Sequence, residues 1–352
     1  MDVPKTQIAE IQTQTVGAST VNVPFVLRCI SKVCTVANGL ARRKDFTINR
    51  RLADILEIKV PANSKPVKGV ASKDVTIDSE TGVWVRIFIP CDTKTAVSSS
   101  DNNLVKLPVV VYYHGGGFVI LCPDFLPYDR FCRNLAREKP CVVISVHYRR
   151  APEHRYPAAY DDSFGVLKWL QSEGQKTLPS NADLSCCVLM GDSAGGNIVH
   201  HIGCKAAAED LKPVRISRHV LLQPFFGGEE RTPSELRLVN VPIISVESAD
   251  WYWKAYLPPE ANRDHPACNV FGPHAADISE VPLPPSLVTV GSLDTLQDWQ
   301  IRYVEGLKKA GKKVDMLFYA GAIHAFHIFD MQKVAKQVRL DICKFIDAQN
   351  CF

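Results

Sequence analysis

The chain predicts an α/β fold, an eight-stranded, mostly parallel sheet with helices on both faces and a helical cap. Three observations carry this. Short apolar runs alternate with helical stretches from residue 107 onward, the pattern of a parallel sheet buried on both faces. Two glycine-bearing turns each follow directly on such a run. One long segment, between the runs at 218–223 and 286–290, breaks the alternation.

Taken in order, residues 1–20 are polar. Residues 24–38 read as an amphipathic helix, with Pro24 in its first turn, Phe25, Cys29, Ile30 and Val33 on one face, and Asn38-Gly39 as its stop. A second short helix is expected over Asn49 to Leu56. Val70 to Ile77 and Val83 to Ile89 form a hairpin around Asp78-Ser79-Glu80-Thr81-Gly82. Cys91 to Lys106 is a polar surface insertion. Strands follow at 107–113, 141–147, 186–190, 218–223, 286–290 and 314–319. Helices are expected at 128–138, 160–172, 195–208, 298–310 and 332–348. The stretch between 223 and 286 is too long for a structureless loop, so it is expected to fold as helices, one of them around Asp250 to Tyr256. The organisation is therefore lid helices over 1–65 and a core over 66–352, with a cap insertion around 225–275. Trp251 and Trp253 either line a pocket under that cap or pack cap against core.

Composition bounds the function. Of 352 residues, 46% are hydrophobic and 22% charged, ordinary for a globular chain with a sizeable core. Net charge is +4 with basic residues scattered, so no nucleic-acid footprint is expected, and Arg42-Arg43-Lys44 and Arg50-Arg51 read as solvated helix ends. The longest apolar stretch near the start, Phe25 to Ala37, is short and carries Arg28 and Lys32, which excludes it as a membrane span. No apolar secretory leader is visible at Met1 to Gln7. Twelve cysteines show no C-x-x-C pair, and Cys141, Cys186 and Cys187 fall inside strand patterns, so buried free thiols of a reducing compartment are expected. A cytoplasmic location, with the nucleus also open to the protein, follows from that reading. Oligomeric state is left open.

The chemistry lies in the two turns. Gly191-Asp192-Ser193-Ala194-Gly195 follows the run 186–190, and His114-Gly115-Gly116-Gly117-Phe118 follows the run 107–113, 79 residues before Ser193. A strand, a sharp turn and a helix with G-x-S-x-G at the turn lift a serine hydroxyl above the sheet edge. That motif alone is weak; its pairing with H-G-G-G after a separate strand is the specific signal. Asp294 ends the stretch that starts at Ser286, and His324 follows the strand 314–319, so both lie on the edge of Ser193, in the chain order serine, acid, histidine. Ser193 as nucleophile, His324 as base and Asp294 as its orienting acid make an acyl-transfer set. The backbone N–H groups of Gly115, Gly116 and Ala194 are the expected oxyanion donors, with His114, Gly117, Gly191 and Gly195 completing the motifs. Asp298 competes with Asp294 but fits the first turn of a helix. His327 competes with His324 but reads as packing at the mouth of the site. His147 and His154 flank a structural turn, and Asp161 and Asp162, adjacent on a helix, do not face each other. This chemistry requires no metal and no organic cofactor, and its partner is a small-molecule ester.

These motifs resemble the hormone-sensitive-lipase branch of the α/β-hydrolases, as do Tyr148-Arg149-Arg150-Ala151-Pro152-Glu153-His154 and Tyr156-Pro157-Ala158-Ala159-Tyr160-Asp161-Asp162. From about residue 45 onward the chain is similar to the plant carboxylesterases, close to the gibberellin-receptor group. Asn49 to Ala53, Gln223 to Thr232 and Asn262 to Asn269 carry that likeness. The resemblance implies a serine carboxylesterase for short- to medium-chain esters, and a cap built from the N-terminus and the 225–275 region. It also brings two rivals. One is a hormone-like small-molecule receptor, a group that keeps the serine, lacks the histidine, and clamps its ligand with the N-terminal lid. The other is an eliminase or cyclase of specialised metabolism on the same fold. His324 stands against the receptor reading. A peptidase or a long-chain lipase finds less support in these residues.

Overall fold

The computed structural model describes residues 39–91, 105–239, 241–329 and 333–347, together with Val36. The helix expected over 24–38 lies outside them, Val36 apart. A short helix α1 (Arg50–Leu56) leads in, with the Asn49 side chain accepting from Leu52 N as its cap. The hairpin β1 (Val70–Asp78) and β2 (Val83–Pro90) follows. Then come β3 (Leu107–Tyr113), α2 (Leu126–Glu138), β4 (Val142–His147), α3 (Ala158–Thr177), β5 (Ala182–Asp192), α4 (Ala194–Ala207) and β6 (Ile216–Leu222). The long segment folds as α5 (Pro233–Arg237) and α6 (Val246–Tyr256), each started by a capping box, Thr232 with Glu235 and Ser245 with Ser248. The chain ends with β7 (Ser286–Leu293), α7 (Gln297–Lys309), β8 (Val314–Ile323), a 3-10 turn at Phe326–Ile328 and α8 (Lys333–Asp347).

The eight strands lie in the order β1-β2-β4-β3-β5-β6-β7-β8. Neighbours from β4 to β8 pair in parallel, whereas β2 pairs antiparallel with both β1 and β4. The antiparallel contacts therefore extend one strand beyond the expected hairpin. Strand alternation sorts the core into two layers. Val109, Val111 and Tyr113 face a cluster with Leu167 and Leu170 of α3 and Ile198 and Ile202 of α4. Val110 and Tyr112 face Phe131 and Leu135 of α2 and Val338 and Ile342 of α8. β8 runs four residues past its expected end, because Leu293 pairs with Ile323 after an irregularity in the β7 register. That extension brings the strand up to His324.

Among the described residues no helix is long and apolar enough to cross a membrane. Cys141 and Cys187 are buried free thiols as expected, but Cys186 is disulfide-bonded. Sequence spacing reports only on cysteines close in the chain, so it carried no signal for that bond.

Candidate active site

Ser193 joins β5 to α4 with φ 52° and ψ −117°, a backbone state that costs a non-glycine residue roughly 1–3 kcal/mol. Neighbouring backbone holds it there. Its N–H donates to the Leu222 carbonyl at 2.9 Å, and its carbonyl accepts from Phe225 N at 2.8 Å. The turn also needs an absent side chain. A Cβ on Gly195 would collide with the Tyr113 carbonyl, and one on Gly191 with the Gly195 carbonyl.

The structure brings Ser193, His324 and Asp294 together. His324 Nε2 lies 2.9 Å from Ser193 Oγ, and His324 Nδ1 donates to Asp294 Oδ2 at 2.8 Å. All three residues are buried. Asp294 Oδ2 also accepts from Gln223 Nε2 at 2.9 Å and Gln300 Nε2 at 2.8 Å, and its Oδ1 accepts from Leu296 N at 2.9 Å. Neither Gln300 nor Gln223, named in the sequence only for its family likeness, was singled out there as a site residue. The one available signal was the position of Gln223, directly after β6 on the same sheet edge. Burial opposes the charged form of His324. The adjacent Asp294 carboxylate, by charge and hydrogen bond, and Asp192 behind it outweigh burial, so the net pKa is raised above the ordinary histidine value.

The rivals lie elsewhere. Asp298 Oδ2 accepts from Ser234 N at 2.7 Å. His327 is buried rather than placed at a mouth. Its ring meets Phe131 edge-on at 5.1 Å, and burial, with the charges of His324 and Arg339, pushes its pKa down to about 3. Asp162 is held by Arg149 at 2.8 Å, Asp161 is exposed beside Lys205, and the His147 ring lies tilted against Trp84 at 5.2 Å.

The oxyanion assignment needs a correction at Gly115. Its N–H is consumed, lying 2.9 Å from both Asp192 Oδ1 and Tyr128 Oη. A donor already paired to a buried carboxylate is not free to meet a developing oxyanion. Among the described residues the N–H groups of Gly116 and Gly117 have no acceptor, and that of Ala194 is a first-turn orphan of α4. Gly116 has φ 102° and Gly117 φ 60°, backbone states that favour glycine. A Cβ on Gly117 would stand 2.5 Å from the Tyr252 ring, so only glycine fits under α6. His114 is buried, stacks on Tyr148 at 4.4 Å, and has its pKa pushed down to about 3, chiefly by burial. It supports the turn as a neutral ring.

Asp192 is the second buried carboxylate of the site. Tyr112 donates to it at 2.6 Å and Tyr128 at 2.9 Å. Burial outweighs these bonds and pushes its pKa up to about 6. Of the two tryptophans, Trp253 is buried and stacks on Phe225 at 4.3 Å, which is packing. Trp251 is partly exposed, donates to the Arg43 carbonyl at 2.8 Å, and lines a cleft of about 760 Å³ together with Arg42, Phe46 and Asp250. Ser193 does not line that cleft. No group of three or more His, Cys, Asp or Glu side chains that could hold a metal occurs among the described residues.

A serine on a strained strand-to-helix turn of a mostly parallel sheet, facing a histidine and an acid from the last two strands, defines an α/β hydrolase. Residues 110–328 match the family described as alpha/beta hydrolase fold, and the chain belongs to that family. It is 43% identical to a gibberellin receptor of Arabidopsis thaliana, over 89% of this chain and 91% of the receptor. It is 34% identical to carboxylesterase 20 of the same plant, over 88% of this chain and 94% of the relative. Among solved structures, an esterase from Pyrobaculum calidifontis superposes with a TM-score of 0.67 at 26% identity, covering 99% of each chain.

Proposed function

We propose that this chain is a serine carboxylesterase that hydrolyses short- to medium-chain carboxylic esters through an acyl-Ser193 intermediate. The observation that carries the reading is the continuous relay from Ser193 Oγ through His324 to Asp294 at 2.9 and 2.8 Å. The carboxylesterase and esterase relatives support the substrate class.

The mechanism follows from the geometry. His324 Nε2 takes the hydroxyl proton as Ser193 Oγ attacks the ester carbonyl. Asp294 holds the Nδ1–H tautomer and stabilises the imidazolium. Negative charge then develops on the carbonyl oxygen, where the N–H groups of Gly116, Gly117 and Ala194 receive it at the positive end of α4. One such donor is worth ~3–4 kcal/mol of barrier. His324 returns the proton to the leaving alkoxide, and water repeats the sequence to release the acid. No step calls for a metal or organic cofactor.

The selectivity element in this reading is a cap made of residues 1–65 and the insertion around 225–275, over a core that runs from 66 to 352. The contact of Trp251 with Arg43 supports a joint cap. The eight free thiols among the described residues support a cytoplasmic or nuclear location, and the disulfide at Cys186 counts against it.

Hydrolysis of a p-nitrophenyl acyl series from acetate to dodecanoate, by wild type and Ser193→Ala in parallel, tests the proposal. Turnover that falls off with chain length and disappears in the variant supports it. The 43% identity to a gibberellin receptor favours a second reading, a small-molecule receptor. Folded wild type that binds a carboxylic-acid ligand and turns over no ester would establish that reading. Conversion of an activated substrate without a trappable acyl-Ser193 would point to an eliminase instead.

A further inference from the structure

We infer that Glu57 and Arg50 are positioning residues for the oxyanion turn, so that α1 sets the placement of the donors of Gly116 and Gly117. The inference rests on the esterase reading above.

The turn from Gly116 to Leu121 holds two side-chain-bearing residues, Phe118 and Leu121, in the left-handed backbone region. Gly116, Gly117, Phe118 and Leu121 all have positive φ, and two of these four residues carry side chains. Such a run persists only where surrounding groups over-determine it. Internally it is tight, because the N–H groups of Val119 and Ile120 both reach the Gly116 carbonyl at 3.0 Å. A displacement at residues 119–121 is therefore passed to Gly116.

Externally, α1 grips that end of the turn. Glu57, buried at the C-terminal cap of α1, accepts from Leu121 N at 2.7 Å and from Cys122 Sγ at 3.1 Å. Arg150 donates to the Leu121 carbonyl at 3.2 Å and lies 3.6 Å from the Glu57 carboxylate. Both polar groups of residue 121 are thus held by one ion pair. Arg50 donates to the Val119 carbonyl, reaches the Ala151 carbonyl at 2.9 Å, and pairs with Glu153 at 2.7 Å. The Phe118 carbonyl in turn accepts from Ala151 N at 2.9 Å, so Arg50 spans the turn and its support. At the opposite end, Asp192 fixes Gly115. The donors lie between two carboxylate anchors, one beside the nucleophile and one on α1.

The test is kcat and KM on p-nitrophenyl butyrate for Glu57→Ala, Glu57→Gln and Arg50→Met, with concentrations set by phosphonate titration of Ser193. The Ki of a trifluoromethyl ketone, which mimics the tetrahedral state, is read alongside. Glu57→Ala should lower kcat about 10- to 100-fold with KM within about 3-fold. The inhibitor should weaken in step with kcat/KM. Glu57→Gln keeps an acceptor for Leu121 N and should recover most of the rate. Arg50→Met, at a partly exposed residue, should show the same pattern at smaller size. A purely structural role would lower melting temperature and the titratable fraction while leaving kcat per titrated serine and Ki at wild-type values, and that result overturns the inference. Should Glu57→Ala not fold, Arg50→Met decides alone. Wild type without Ser193-dependent turnover overturns the esterase reading itself, and the inference with it.

Discussion

The proton relay and the oxyanion turn are two halves of one site, held by different means. Asp294 and His324 stand at the ends of β7 and β8, and Ser193 at the end of β5. Sheet registry sets their spacing, and side-chain hydrogen bonds finish it. Two of the three proposed oxyanion donors, Gly116 and Gly117, sit in a turn of positive-φ residues that the sheet does not define. That turn depends on Asp192 at one end and α1 at the other. Removing a relay group should therefore cost rate with little stability, whereas disturbing the turn should cost both.

Ser193→Ala gives the sharpest contrast. It should reduce kcat by at least about 10⁵-fold, and melting temperature should stay within a few degrees. Retained Ser193-independent turnover would break the comparison at its root. Asp294→Asn comes next. The amide that replaces the carboxylate presents the wrong partner to His324 Nδ1, and a loss of roughly 10³- to 10⁴-fold in kcat is expected with the fold intact. Gly117→Ala tests the other half. Its Cβ meets the Tyr252 ring in a left-handed backbone state, so about 10²-fold in kcat should go together with a drop in melting temperature by calorimetry.

The smallest effect concerns pH. His324 acts as a base only when neutral, and its raised pKa places the acidic limb of kcat/KM above the ordinary histidine value of about 6.5. Asp192 contributes to that rise, so Asp192→Asn should move the limb to lower pH while costing about 10-fold in rate. The same variant carries a stability signature. Asp192 has a folded pKa of about 6 against an ordinary 3.8. The folded state binds this proton more tightly, so the group's contribution falls as pH rises from about 4 to 6. Melting temperature of the variant relative to wild type should thus be more favourable at pH 8 than at pH 4.5. An unchanged difference would separate Asp192 from the titration.

The relay half was legible in the sequence because each element announces itself. An apolar run followed by a small-residue turn marks a strand end, and chain order ranks serine, acid and histidine. The turn half was legible only as a motif. Which glycine N–H faces the substrate depends on the signs of φ at Gly116 and Gly117, and glycine gives no sequence clue to that sign. Gly115 was accordingly chosen, although its N–H is paired to Asp192 and Tyr128. Gln223 and Gln300 were invisible for a related reason, since an amide that satisfies a buried carboxylate looks like any polar residue until the partner is placed. Arg50 read as part of a solvated helix end, yet its guanidinium is spent on two carbonyls and Glu153.

The contact between Gly195 and the Tyr113 carbonyl involves backbone alone. The spacing between the serine turn and the strand that feeds the oxyanion turn is therefore independent of any side chain. Trp251, which touches neither glycine turn and is partly exposed, is free to drift without moving that spacing. A change at Trp251 can therefore reshape the cleft it lines while the serine turn and its feeding strand keep their separation.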